Sequence, residues 1–201
     1  MIESLLCAAA YSHPVHRIEC LETHISWVIL TGDFAYKVKK PVDLGFLDFR
    51  TLEQRRYFCD EELRLNRRWA PQLYLDVVPI VRVGHGVKVG GEGEPIEYAV
   101  RMRQFDQAMR LDHLVDRERL TANDVVAVAE EIAQRHCMAR RVSPGTHLLA
   151  TTERLIWDNF RELRDEVPDA LLRKLEAWME RALSRYESLI SERIDNGWIR
   201  E

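Results

Sequence analysis

The sequence predicts an α+β fold in which a small antiparallel β lobe with one helix precedes an all-helical part. In the first half, short runs of β-branched and aromatic residues are separated by turn residues, which is typical of antiparallel strands. From about Phe105 the apolar residues recur at the spacing of amphipathic helices, and this continues along the rest of the sequence. The change of period predicts two domains, residues 1–104 and residues 105–201.

The first domain is predicted to begin with three antiparallel strands, at residues 18–24, 25–31 and 34–40. Gly32-Asp33 supplies the turn into the third strand, which alternates apolar and cationic side chains. Because successive side chains of a strand point to opposite faces, Lys37 and Lys39 share one side of that strand, opposite Tyr36.

A helix is predicted next, over about residues 51–68. Thr51 and Gln54 have the spacing of a capping box, which marks the start of a helix. Pro71 ends it. Residues three or four positions apart form its apolar face, namely Leu52, Cys59, Leu63 and Asn66.

The remaining predicted elements are two or three strands and then four helices. The strand-like runs lie between glycine-rich turns, at residues 75–83, 87–89 and 96–103. The helices carry amphipathic stripes and cover residues 107–116, 122–140, 149–166 and 168–195.

Composition excludes several classes of function. The 29 Lys and Arg residues against 33 Asp and Glu give a net charge of −4, which argues against a nucleic-acid binder. No apolar run approaches the ~20 residues that span a bilayer, and the first residues lack the features of a signal peptide. We therefore expect a cytoplasmic protein that binds no membrane. The four cysteines form no CxxC pair, so no metal site is predicted.

Lys37 and the acidic run Asp60-Glu61-Glu62 are the most informative charged residues. A lysine on a half-buried strand needs a carboxylate partner or an anionic ligand, since an unpaired buried ammonium is costly. The acidic run lies on the helix that follows the strand and can supply the partner. The alternative interpretation is a solvent-exposed face whose lysines extend their charged ends into water.

Six stretches of the first half also match a family pattern: residues 23–28, 30–41, 45–49, 59–68, 90–94 and 97–105. Together they resemble the opening of bacterial aminoglycoside-phosphotransferase-like enzymes, of the kind often fused to a C-terminal P-loop kinase domain. The resemblance is specific from Thr23 to Phe105 and looser through the helices to Glu201.

The resemblance implies a protein-kinase-like fold that binds ATP and Mg²⁺. In it Lys37 would bind the α- and β-phosphates of ATP, and Glu62 would be its ion-pair partner. Lys39 is the alternative lysine, and Glu61 is the alternative carboxylate.

Two further segments acquire roles from the same resemblance. The turn Thr23-His24-Ile25-Ser26 would occupy the place of the phosphate-covering loop, although it lacks the glycines usual in protein kinases. The segment 100–105 would be the hinge between lobes, where backbone groups bind adenine; it contains Arg101, Met102 and Arg103.

The catalytic half of such a site is not found in the sequence. Phosphoryl transfer needs an Asp that orients the acceptor hydroxyl, together with Asn and Asp ligands for Mg²⁺. In the family these come from a His-Gly-Asp-x-x-x-x-Asn loop and a later Asp, and no His-Gly-Asp occurs here. We therefore assign no catalytic residue and expect the N-terminal portion of an ATP-dependent small-molecule phosphotransferase, truncated before its catalytic loop and inactive alone. The acceptor would be a small hydroxyl-bearing molecule.

The alternative function is a non-catalytic nucleotide-binding or protein-interaction module with a kinase-like fold. A truncated helical lobe would expose the apolar faces of helices 122–140 and 168–195, which would favour self-association or a partner. A third interpretation treats Lys37 and Glu62 as an ordinary ion pair without a ligand.

Overall fold

A six-stranded antiparallel sheet forms the centre of the first of two units in this protein. The structure is a computed structural model that describes residues 1–143 and 148–200, with the backbone alone for residues 148 and 149. The units are Met1–Leu120 and Thr121–Glu201. Helices and an antiparallel sheet confirm the α+β class. The predicted division into a nucleotide lobe, residues 1–104, and a partial helical lobe, residues 105–201, stays a prediction.

The strands of the first unit are β1 (Glu19–Glu22), β2 (Ser26–Leu30), β3 (Phe34–Lys39), β4 (Tyr74–Val83), β5 (Gly86–Val89) and β6 (Pro95–Arg103). Their order in the sheet is β1-β2-β3-β6-β4-β5. Helix α1 (Ile2–Leu5) precedes β1, helix α2 (Leu52–Asn66) joins β3 to β4, and helix α3 (Leu111–Asp116) follows β6. Predicted and observed strands agree to within about two residues at most ends.

Both faces of the sheet are covered within this unit. On one face, Tyr36 and Val38 of β3 pack in a core with Leu5, Ala10 and Tyr11 of the N-terminal segment. The other face carries Lys37 and Lys39, and helix α2 packs against β4 and β6. We call the face that carries the two lysines the lysine face.

Helix α2 begins where the capping box predicts. Thr51 Oγ1 accepts a hydrogen bond from the Gln54 backbone, and the Gln54 side chain accepts one from the Thr51 backbone. The helix ends at Asn66, and Cys59 is fully buried on its inner side. Two charged residues, Arg55 and Glu62, share the same stripe of the helix, because they lie three or four positions from Cys59. Each has a partner of opposite charge.

The second unit consists of helices α4 (Ala122–Met138), α5 (Leu148–Glu162) and α6 (Asp169–Asp195). Thr121 and Asp124 form a capping box at the start of α4. Apolar side chains on α4 and α6 are exposed, among them Val125, Val128, Leu171 and Trp178. Self-association through such residues stays a prediction. Within the described ranges, no helix is long and apolar enough to cross a membrane.

Candidate functional site

The lysine face holds a carboxylate between two ammonium groups. Lys37 Nζ donates a hydrogen bond of 2.7 Å to Glu62 Oε1, and Lys39 Nζ donates one of 2.9 Å to Glu62 Oε2. Alternation along β3 brings the two lysines to the same side, and the position of Glu62 on α2 places its carboxylate over them. Each carboxylate oxygen therefore has its own lysine.

The sequence left two alternatives open for the ion pair: Lys37 or Lys39 as the cation, and Glu62 or Glu61 as the carboxylate. Glu61, the alternative carboxylate, points elsewhere and pairs with Arg64 at 2.7 Å. Lys37 and Lys39 are not alternatives, because both bind Glu62. The ion pair is thus a group of three residues, with two positive charges and one negative charge.

The three residues differ in exposure. The side chain of Lys37 is 28% exposed, that of Glu62 is 12% exposed and that of Lys39 is 5% exposed. Burial acts to raise the pKa of Glu62, but the charges and hydrogen bonds of Lys37 and Lys39 outweigh it and hold that pKa below its usual value. Glu62 is therefore ionised at neutral pH, and the group keeps an excess positive charge.

Lys39 lies in the more enclosed environment of the two lysines. Its ammonium group lies 4.9 Å from the centre of the Phe49 ring, a cation–π distance. Burial raises the pKa of the neighbouring Cys59 thiol to about 12. Burial, and to a smaller extent the charge of Glu62, raises the pKa of Tyr74 on β4. At neutral pH both of these neighbours are neutral.

An apolar cavity of about 330 Å³ adjoins this charged group on the same face of the sheet. Val28, which lines the cavity, lies directly opposite Lys37, and Ala35 precedes Lys37 by one full strand period. Most of the lining is apolar and comes from cross-strand rows of β1, β2, β3, β4 and β6: Leu21, Val28, Leu30, Ala35, Met102 and Tyr74. Of these six residues, only Met102 is a candidate site residue from the sequence. These residues lie on the same face of the sheet as Lys37, and that can be recognised only when the pairing of the strands is known.

The candidate hinge residues lie mostly inside the sheet. Arg101 and Met102 each oppose residues of both β3 and β4. The Arg103 backbone donates to Leu73, and the Gln104 backbone donates to Asp33. Phe105, which also lines the cavity, is the first residue past this ladder.

Arg101 and Arg103 differ in what surrounds their side chains. The Arg101 guanidinium binds Asp76 through two hydrogen bonds of 2.8 and 2.6 Å, and its cross-strand partner is Tyr36, on the face opposite the lysine face. Arg103, at the end of β6, lines the cavity.

The turn between β1 and β2 contains the candidate phosphate-loop residues. Thr23 Oγ1 donates to the Ser26 carbonyl at 3.0 Å and accepts from the Ser26 backbone at 3.0 Å, which closes the turn, and His24 is exposed at its tip. Ser26 lies opposite Lys39 in the sheet. Its hydroxyl is buried and has no hydrogen-bond partner within residues 1–143 and 148–200.

Among the residues that the structure describes, no cluster of three or more His, Cys, Asp or Glu side chains could hold a metal ion.

A second buried ion pair escaped the sequence analysis. Arg55 Nε donates to Glu97 Oε2 at 2.7 Å, and its Nη1 donates to the carbonyls of Phe49 and Arg50 at 2.9 Å each. Arg55 is 8% exposed and Glu97 is 3% exposed. The sequence did contain an indication of this pair: Arg55 lies four residues before Cys59, on the inner stripe of α2, where a charged residue needs a partner.

Comparison with known proteins identifies relatives without a described function. The uncharacterized protein Rv2004c of Mycobacterium tuberculosis and the uncharacterized protein Mb2027c of Mycobacterium bovis are each 34% identical to this chain over 199 residues. The match covers 94% of this chain and 38% of each relative, so the chain spans little more than a third of their length. No family model matches the sequence. No solved structure matches it either.

Proposed function

We propose that the first unit binds a nucleotide, and that it is the nucleotide lobe of a kinase-like, ATP-dependent small-molecule phosphotransferase. One observation carries the proposal: the apolar cavity and the lysine–carboxylate group are neighbours on a single face of the sheet. A flat base suits an apolar cavity, whereas phosphates need positive charge next to it. Along β3, Ala35 of the cavity wall is followed two residues later by Lys37, so a base in the cavity would have its phosphates beside the lysine.

The topology supports the same function. In protein kinases the phosphate-binding lysine lies on the third strand and pairs with a glutamate on the following helix. Here Lys37 lies on the third strand, and Glu62 lies on the helix that joins β3 to β4. Ala35 also stands two residues before Lys37, as alanine does in the kinase pattern Val-Ala-Ile-Lys.

The charge of the site favours an anion. Two ammonium groups share one carboxylate, and the side chain of Lys37 remains partly open to solvent. A phosphate oxygen placed beside Lys37 would balance the excess charge through a charge-assisted hydrogen bond. The hydroxyl of Ser26, which has no hydrogen-bond partner among the described residues, lies on the same face and is a second polar group near the lysines.

Among the described residues, no group of three or more His, Cys, Asp or Glu side chains could hold a metal ion. The residues of the lysine face and of the cavity are suited to binding a nucleotide. Their proposed role is to enclose the base and to orient the phosphates. The matched relatives are longer than this chain, and we propose that such additional sequence supplies the groups that bind Mg²⁺ and the acceptor.

Lys37→Met is expected to weaken ATP binding by about 10- to 100-fold, because a hydrogen bond to a charged group contributes about 1.5–3 kcal/mol. Adenosine has no phosphate and should bind the variant as it binds the wild type. Isothermal titration calorimetry of the 201-residue chain with ATP and with adenosine measures both. Calorimetry is preferred to tryptophan fluorescence because Trp27 packs with the core of the opposite face.

Lys40→Met is the matched control for this experiment. This substitution removes the same charge three residues further along the chain. Lys40 pairs with Glu22, and its ammonium group lies 5.2 Å from the centre of the Trp27 ring, away from the cavity. ATP affinity should be nearly unchanged in this variant. Equal losses in the two lysine variants would reduce the proposal to general charge attraction, and a wild type that binds neither ATP nor adenosine would refute it.

Ala35→Leu tests the base pocket separately from the phosphates. Ala35 is 6% exposed and lines the cavity, so a larger side chain occupies space that the base would need. We expect the affinities for adenosine and ATP to fall by a similar factor, about tenfold or more, because overpacking a fitted site costs about 1–3 kcal/mol. Unchanged adenosine binding, with a normal thermal melt, would place the base elsewhere.

The second candidate function is a non-catalytic module that binds a protein partner. The exposed apolar side chains of α4 and α6 favour it, since patches of this kind mark interaction surfaces. The two candidates separate in one pair of measurements. A nucleotide lobe gives saturable heat with ATP, whereas a pure interaction module gives none. If that module self-associates, its mass in sedimentation also rises with concentration.

A further inference from the structure

The turn between β2 and β3 connects two parts of the cavity wall, since Leu30 before it and Ala35 after it both line the cavity. The backbone N–H and the hydroxyl of Thr31 both donate to the Phe34 carbonyl, at 2.9 and 2.8 Å, and Thr31 is 1% exposed. Gly32 follows with a φ of +102°, a conformation that favours glycine. The turn is therefore held by its own hydrogen bonds.

Gln104 attaches this turn to the chain that leaves β6. Its side-chain Oε1 accepts a hydrogen bond of 2.9 Å from the Gly32 backbone N–H, although 72 positions separate the two residues. Its own backbone N–H donates to the Asp33 carbonyl at 2.9 Å, so one residue holds the turn at two adjacent points. Gln104 lines the cavity, as does Phe105, the residue that follows it.

This attachment bears on the distance between two sides of the cavity. The strands of the β2–β3 hairpin supply one side, and Phe105 supplies part of the other. The ladder between β3 and β6 ends at the pair Phe34 and Arg103, so the bonds of Gln104 extend the connection one residue further, to the edge of the cavity. If the side-chain bond is lost, the hairpin and Phe105 can separate, and a flat base then loses contacts on one side.

We propose that Gln104 is a positioning residue that sets the width of the base pocket, because it holds the β2–β3 turn against the chain that leads into Phe105. It acts through the walls of the cavity and needs no contact with the base. This inference rests on the proposed nucleotide binding and assigns a residue to the base end of the site, whereas Lys37 serves the phosphate end. The two ends can be tested separately, because adenosine has no phosphate and inorganic tripolyphosphate has no base.

The test compares wild type, Gln104→Met and Gln104→Glu by isothermal titration calorimetry with adenosine, ATP and tripolyphosphate. Gln104→Met keeps the length of the side chain but cannot accept the bond from Gly32. Its affinities for adenosine and ATP should fall by the same factor, about three- to tenfold, as the loss of one neutral hydrogen bond predicts. Its affinity for tripolyphosphate should equal that of wild type, because Lys37 is unchanged. A general distortion of the first unit would instead weaken the binding of all three ligands.

Gln104→Glu is the conservative variant that should restore the binding of adenosine. A carboxylate oxygen can accept the hydrogen bond from the Gly32 N–H, and adenosine is uncharged, so the added negative charge does not act on it. A Gln104→Glu variant as weak as Gln104→Met would contradict the bond to Gly32 as the cause. If wild type binds adenosine and Gln104→Met binds it equally well, the role of Gln104 is refuted while nucleotide binding stands. If wild type binds neither adenosine nor ATP, the proposed function itself fails.

Amide hydrogen exchange of the wild-type chain is a second measurement, and it needs no variant that folds. If the bond between Gln104 and Gly32 raises the affinity for adenosine, thermodynamic linkage requires adenosine to strengthen that bond by the same factor. Exchange of the Gly32 N–H, followed by NMR, should therefore slow about three- to tenfold at saturating adenosine and stay unchanged with tripolyphosphate. Unchanged Gly32 exchange in the adenosine-saturated protein would overturn the inference.

Discussion

Glu62→Gln is expected to lower the free energy of unfolding by about 3–5 kcal/mol, the typical cost of removing one partner from a buried ion pair. The variant keeps the shape of the side chain but leaves two lysines without a counterion. Lys39 is the more affected, since its side chain is 5% exposed and cannot reach water without disturbing the packing around Phe49. Urea denaturation at neutral pH measures the loss.

Glu61→Gln is the matched control for Glu62→Gln. Glu61 is the adjacent glutamate on the same helix, and its partner Arg64 lies on the helix surface. Exposed ion pairs contribute little to stability, so this variant should unfold much like wild type. Comparable losses at both positions would show that general helix electrostatics, and not the buried group of three, carries the effect.

The Glu62 effect should depend on pH in a defined direction. The pKa of Glu62 is lower in the folded chain than the ~4.3 of an exposed glutamate. A carboxyl of this kind stabilises the fold above its unfolded pKa, and the contribution disappears as the pH falls through the lower, folded pKa. The stability gap between wild type and Glu62→Gln should therefore be greatest near neutrality and shrink in acid. A gap of constant size would contradict the assignment.

Arg55→Met has the second large expected effect, a loss of about 3–5 kcal/mol in the free energy of unfolding. Methionine leaves Glu97 buried without its counterion, and it removes both hydrogen bonds to the carbonyls of Phe49 and Arg50. These carbonyls directly precede α2, so the start of the helix should loosen as well. Thermal and urea denaturation report the loss, and amide exchange near Thr51 locates it.

The pair variant Arg55→Met with Glu97→Met is the control for this prediction. A buried ion pair can often be replaced by apolar residues at little cost, so the double variant should recover the part of the loss that comes from the uncompensated Glu97, but not the part that comes from the two carbonyls. Burial raises the pKa of Glu97 even beside Arg55. A raised pKa stabilises the fold below the unfolded value and loses that contribution as the pH rises. The single variant should consequently be least impaired in acid, and a double variant no better than the single one would refute the pairing.

The sequence was most informative where a local rule decides the structure. The capping box of Thr51 and Gln54 placed the start of α2 correctly, because the two hydrogen bonds involve only neighbouring residues. Strand alternation likewise placed Lys37 and Lys39 on one side of β3. The choice of Glu62 came from the family resemblance, and the distance to Lys37 agrees with it.

The features that escaped the sequence analysis depend on which strands lie side by side. Glu97 is the partner of Arg55 only because β6 passes beside α2, and 42 positions separate the two residues in the chain. The cavity exists because Leu21, Val28 and Met102 come into one patch through strand pairing. Helix ends after residue 105 were also less accurate, because the helix predicted at residues 107–116 is divided into a 3-10 turn at Gln107–Met109, capped by Asp106, and helix α3 at Leu111–Asp116.

The order of strands in the sheet also determines when this unit can fold during synthesis. β3 pairs with β6, so the centre of the sheet cannot close until Arg103 has been made. On the opposite face, Leu5, Ala10 and Tyr11 pack in a core that is complete only once the core residues of β4, β5 and β6, such as Ile80 and Ala99, have been made. At ~5–20 residues per second this delay lasts on the order of several seconds. A nascent chain of this protein therefore leaves part of this apolar core uncovered until the last strands of the sheet have been made.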